Sequence, residues 1–208
     1  MCDARSILAA IKVASFGPAT FIAKVQATEV KADGTATIVS TASLLFRGPG
    51  SYRLDMLSST KAAFQGAKLI FHAGESTVSV RPGGVLKFLP LHLQLSDPQL
   101  LSLNGYRLDQ VTGHGVLDRL SEPDYDVTLH GRASVAGESL QVLRVSSPDN
   151  RLDRRIAQEF IGFDDQHRLR LWSVYAAPAL GLPQGLLYQM TVDDFHAGVT
   201  HPPDAFRL

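Results

Sequence analysis

The stretch TFIAKVQATEV at positions 20–30 decides the fold, read together with KADG at 31–34 and TATIVSTASLLFR at 35–47. Phe21, Ala23, Val25 and Ala27 alternate with Ile22, Lys24, Gln26 and Thr28. A repeat of two is the mark of a strand with one buried face. Asp33-Gly34 is a strong tight-turn pair, so the two runs read as a hairpin. SYRLDMLSS at 51–59 carries the pattern on, with Tyr52, Leu54 and Met56 on one face and Arg53 and Asp55 on the other. AKLIFHAG and STVSVRPGG, parted by Gly74-Glu75, form the next hairpin.

Working outward, DARSILAAIKVAS at 3–15 places Ile7, Leu8, Ile11 and Ala14 on one helical face. Asp3 is its candidate cap and Gly17-Pro18 its stop. Beyond the middle, DYDVTLHGRASV, SLQVLRVSS, IAQEFIGFD, HRLRLWSVYA and LLYQMTVDDFHAG return to strand periodicity. Turns are expected at Asp149-Asn150, Asp164-Asp165 and Gly181–Gly185. LPLHLQLSDPQLLSL at 89–103 is rich in leucine; its second half, with Ser96 as cap and Pro98 in the first turn, is expected to be a short helix. Another short helix is expected at 115–121. The expectation is a mainly β (α+β) chain of eight to eleven antiparallel strands in one domain over 1–208, with an N-terminal helix and short mid-chain helices.

The chain has 208 residues and 22.5 kDa, 45% of them apolar and 19% charged, so disorder of the bulk is excluded. Twenty basic residues balance twenty acidic ones, without the basic excess that nucleic-acid binding by phosphate neutralisation usually brings. The sole cysteine excludes an internal disulfide and any CxxC site. Cys2 follows Met1 with no basic and apolar leader before it. It reads either as a chance terminal cysteine or as the lipid-bearing first residue of a mature lipoprotein behind an added Met. No run of 18 apolar residues offers a membrane-spanning helix.

Chemistry is poorly represented. His72, His92, His114, His130, His167, His196 and His201 lack the short spacings of zinc ligands. No GxSxG, GxxxxGK[ST] or GxGxxG occurs. Asp164-Asp165 and Asp193-Asp194 are adjacent pairs whose side chains diverge on a strand. No catalysis, metal or cofactor is expected. RLDRR at 151–155 is a solvated face or a contact for anionic lipid headgroups.

A sheet of about ten strands must curl, split or close. Curled and left open, it offers a concave face that the few helices cover only in part. Leu86, Leu89, Leu91, Leu93, Leu95, Leu100, Leu101 and Leu103 either complete the core or form a movable apolar plug over that face. Such a plugged concavity suits acyl chains, since each buried methylene is worth roughly 0.8 kcal/mol.

Several patterns in order resemble the LolA and LolB outer-membrane lipoprotein carriers and their wider superfamily. They are the N-terminal helix leading into FIAKVQATEV, SLLFRGPGSYRLDML, VSVRPGGVLKF, RRIAQEFIGFDDQHRLRLWSVY, and the ending DDFHAGVTHPPDAFRL. Arg47-Gly48-Pro49 departs from the family's Arg-Pro by one glycine. The resemblance implies an eleven-stranded open half-barrel closed by helices, with a hydrophobic cavity for lipid or lipoprotein acyl chains. It implies a monomeric, non-enzymatic carrier in the bacterial periplasm or anchored to an envelope membrane through Cys2. It also implies a loop arginine, here Arg47, that latches the lid through backbone carbonyls. The expected cavity residues are Phe21, Val25, Leu45, Tyr52, Leu54, Leu69, Phe71, Leu93, Leu100, Trp172 and Tyr188, under a lid at 89–103. The competing expectation is an envelope-stress or structural lipoprotein that acts through a protein partner.

Overall fold

The computed structural model describes residues 3–177 and 185–208; Cys2 and positions 181–184 of the expected turn lie outside them. Helix α1 (Ala4–Phe16) precedes β1 (Thr20–Val30), β2 (Thr37–Arg47), β3 (Ser51–Ser59), β4 (Lys68–His72), β5 (Thr77–Arg81) and β6 (Leu91–Gln94). Two short helices follow, α2 (Leu108–Val111) and α3 (Gly113–Leu120). Five strands end the chain: β7 (Asp126–Val135), β8 (Glu138–Ser146), β9 (Ile156–Phe163), β10 (Leu169–Ala176) and β11 (Leu186–Ala197).

All eleven strands join one antiparallel sheet in the order β6-β5-β4-β3-β2-β1-β11-β10-β9-β8-β7. The chain ends meet in the middle, where β1 pairs with β11, and the outer strands β6 and β7 leave the sheet open. The expected half-barrel is therefore present. Its first hairpin turns at Gly34, whose φ of 74° suits glycine, while Asp33 accepts the Thr35 N–H.

Register makes the inner face. Phe21, Phe46, Tyr52 and Phe71 stand side by side across four strands. Their rings lie 4.8 Å (Phe21–Phe46), 5.2 Å (Phe46–Tyr52) and 4.8 Å (Tyr52–Phe71) apart. Phe16, at the end of α1, meets Phe21 and Phe46 edge-on. Cross-strand aromatic pairs fix register as well as adding area. Helix α1 buries Leu8 and Ile11, and its Ser15 hydroxyl accepts the Leu169 N–H at 2.8 Å. Helix α3 buries Val116, Leu117 and Leu120 completely, and Thr112 caps it by accepting from Gly115.

The leucine-rich middle differs from expectation. Its first part is the edge strand β6, with Leu91 and Leu93 aligned to Val80 and Val78. The expected helix from Ser96 is instead a set of turns, closed by Leu100 N–H to Asp97 O at 2.9 Å and Ser102 N–H to Tyr106 O at 3.0 Å. Asp97 accepts from Gln99 with its side chain, a local bond that competes with a helix. Residues 95–107 thus cross the concave face as an irregular strap.

Candidate functional site

The inner faces of β1–β4 and β11 wall a cavity of about 120 Å³. Its lining includes Val25, Ala27, Glu29, Ala42, Leu44, Tyr52, Leu54, Met56, Leu69, Phe71, Tyr188 and Met190. Phe16, Phe64, Leu100, Ser102, Tyr106, Leu108, Val111 and Thr112 close it from the strap and helical side. An apolar cavity of about 150 Å³ is enough to take up benzene. The space here therefore fits a short run of methylenes, and a longer chain requires the strap to move.

Seven of the eleven expected residues meet at this cavity: Val25, Tyr52, Leu54, Leu69, Phe71, Leu100 and Tyr188. Phe21 lines a smaller neighbouring space of about 30 Å³. Leu93 packs against the core from β6. Leu45 lies on the opposite face, against Ile70, Ala205 and Phe206, because Leu44 and Phe46 are the inward pair of β2. Trp172 is fully buried and donates its indole N–H to Glu159 at 2.8 Å.

That carboxylate anchors a polar cluster. Glu159, itself fully buried, accepts two bonds from Arg119 at 2.7 and 2.8 Å and one from Asn150 at 2.7 Å. Burial disfavours the Arg119 charge, and Glu159 more than offsets it, so the guanidinium stays protonated. The cluster ties α3 to β9 and β10 and has a structural part.

Arg47 does not take the place expected of it. Phe46 points inward, so Arg47 points outward, where its guanidinium sits 4.5 Å from the Phe206 ring centroid. The C-terminal tail is held there, with Arg53 donating to Ala205 O at 2.8 Å while it pairs with Asp55. The strap is held by other residues. Lys61 Nζ donates to Gln99 O at 2.8 Å and Leu101 O at 3.3 Å. Glu29 accepts the Leu103 N–H at 2.8 Å. Asn104 donates to Val30 O at 2.8 Å and accepts from Ala32 N–H at 3.0 Å. Tyr106 reaches Asp153 at 2.9 Å.

Burial raises the Glu29 carboxyl above its ordinary range, although the Leu103 N–H and Lys61 pull the other way. Burial likewise lowers Lys61, against the pull of Glu29. Both groups are thus charged at a cost. Tyr52 lines the cavity and is 2% exposed; its own hydroxyl is occluded and has no hydrogen-bond partner among the described residues. Burial pushes that phenol upward, so it is a neutral donor at every ordinary pH.

No family model matches the sequence, and no characterised protein matches it in sequence. Solved structures do match in shape. MucB aligns at 18% identity over 99% of this chain and 62% of its own, with a TM-score of 0.56. The Mycobacterium tuberculosis lipoprotein LppX aligns at 14% identity over 95% of this chain and 97% of its own, with a TM-score of 0.51. The LolA superfamily protein NE2245 from Nitrosomonas europaea aligns at 16% identity over 100% and 99% of the two chains, with a TM-score of 0.45. The fold is shared with MucB and LppX. This chain spans about 62% of MucB.

Within this sheet and its strap, Glu29, Lys61, Asn104 and Tyr106 are the site residues that sequence reading passes over. Glu29 had a signal: it continues the inward series Phe21, Ala23, Val25, Ala27 as a lone carboxylate. Among the described residues no group of three metal-ligating side chains converges, and no helix is long and apolar enough to cross a membrane.

Proposed function

We propose that this chain binds the acyl part of a lipid or lipoprotein and carries it within the bacterial cell envelope, making and breaking no covalent bond. The observation that carries the reading is the apolar cavity, covered by a strap fastened through a few polar bonds. Methylenes take the apolar wall, at roughly 0.8 kcal/mol each. The strap lifts at Lys61 and Glu29 to admit cargo, and its modest hold lets cargo leave again. An anchor at Cys2 would keep the carrier at a membrane surface.

The test is titration of the chain with cis-parinaric acid followed by fluorescence. Saturable binding at one site, displaced by palmitate or a lysophospholipid, is the expected result. No binding across the accessible range, with the protein folded by circular dichroism, would move the reading to a lipoprotein acting through a protein partner. Fold kinship with MucB makes that second reading concrete without assigning it, because a shared fold does not carry function.

A further inference from the structure

The connection between β5 and β6 forms an exposed apolar tip. Val85 is 93% exposed, Phe88 84%, and Leu86 and Leu89 57% each. Leu86 and Leu89 are not among the residues that line the cavity. Four large apolar side chains in five positions, all facing solvent, are not the scattered surface residues of an ordinary protein.

The chemistry beside the tip says what covers it. Lys68 on β4 and Arg81 on β5 are direct cross-strand partners. Like charges in that position repel. With Lys87, Phe88, Gly66 and Pro82 they line a surface cleft of about 410 Å³. None of the three cations is in an ion pair among the described residues. The more basic-looking run at 151–155 is different: Arg151, Arg154 and Arg155 each pair with a nearby aspartate.

We propose that the β5–β6 tip is a membrane-docking element. Val85, Leu86, Phe88 and Leu89 enter the interfacial zone of a bilayer, and Lys68, Arg81 and Lys87 take the phosphate of an anionic phospholipid. Apolar side chains flanked by cations are the composition that binds such a surface. The occupant is a membrane: an anion placed between Lys68 and Arg81 relieves their repulsion, and the exposed Val85, Leu86, Phe88 and Leu89 lie beside that cationic cleft. This does not rest on the acyl-carrier reading, since the tip and the cavity are built from separate residues.

The experiment is flotation of the unacylated chain with vesicles of phosphatidylcholine alone or with about one third phosphatidylglycerol. The chain floats with the anionic vesicles and less with the neutral ones. Leu86→Ser with Phe88→Ser lowers partitioning to both at least tenfold, from the loss of two insertable side chains. Lys68→Gln with Arg81→Gln lowers only the anionic preference, by about fivefold per cation. Thermal melts of the serine variant match the parent chain, because its altered residues are exposed, and those of the glutamine variant match or exceed it, because the Lys68–Arg81 repulsion is gone. Parent chain that stays with no vesicle, or a serine variant that floats as well as the parent, overturns the proposal. A parent dimer that the serine variant makes monomeric, without vesicle binding, also overturns it and assigns the tip to self-association.

Discussion

Lys61 and Gln99 are joined across the concave face: the ammonium donates to the Gln99 backbone carbonyl at 2.8 Å, and to that of Leu101 at 3.3 Å. A side chain from the β3–β4 connection thereby holds the strap by its main chain. The same ammonium lies 4.4 Å from the centroid of the Phe64 ring, part of the cavity lining. Fastening and cavity wall are physically continuous.

Lys61→Met keeps the stem and removes the donor. A hydrogen bond from a charged group is worth about 1.5–3 kcal/mol, less where solvent reaches it. The expected outcome is faster amide exchange at Gln99–Asn104 and faster release of a bound acyl probe, with global stability lowered by about 1 kcal/mol or less. Arg47→Leu is expected to leave release unchanged and to loosen the C-terminal tail. Stopped-flow release and residue-resolved exchange check both.

Glu29 gives a pH signature. Its carboxyl is raised from the ordinary 4.5, burial being the main cause. The folded chain therefore holds this proton more tightly than the unfolded chain. The resulting contribution to stability is complete below about pH 4.5 and is lost as pH rises through the folded value. Glu29→Gln removes this dependence and can still accept from Leu103. The stability of the variant minus that of the parent should rise as pH is raised from 4.5, then level off. Chemical denaturation across that range measures it, and a flat difference would contradict the assignment.

Ala42 is 5% exposed and lines the cavity from β2. Ala42→Leu fills part of the space. Acyl-probe affinity should fall by about fifteen- to sixtyfold, as two to three methylenes lose their place at about 0.8 kcal/mol each. Stability should change by about 1 kcal/mol in either direction, since the added atoms enter a void. Probe titration and a thermal melt separate the two effects.

Trp172 should behave differently. Glu159→Ala leaves Arg119 buried without its partner, and breaking such a pair costs about 3–5 kcal/mol. Trp172→Phe removes one bond to the same carboxylate and should cost about 1–3 kcal/mol. Neither change should alter acyl-probe affinity at temperatures where the chain is folded. Denaturant titration and probe binding on the same samples decide it.

Periodicity made the sheet legible wherever one face is apolar and the other polar. TFIAKVQATEV and SYRLDMLSS are such runs, and their inward sets are the observed ones. SLLFR is apolar at adjacent positions, so alternation does not say whether Leu44 or Leu45 points inward; the register of Leu44 with Ala23 and Leu54 on neighbouring strands does. LPLHLQLSDPQLLSL failed for a related reason. Leucine suits an edge strand, a turn and a helix alike, and the choice was made by pairing with Ser79 and Val80 and by Asp97 bonding locally. Lys61 and Arg119 find their partners 38 and 40 residues away, at distances no local pattern reports. The Arg47 expectation came from a motif with one inserted glycine; strand alternation from Phe46 turned the side chain outward.

Native mass spectrometry of the chain as purified, followed by solvent extraction and lipid analysis, tests the central claim most directly. The carrier account expects a discrete adduct above 22.5 kDa that extracts as a fatty acid, phospholipid or acylated peptide and is diminished in Ala42→Leu. A bare 22.5 kDa species that also stays bare after incubation with palmitate would contradict it.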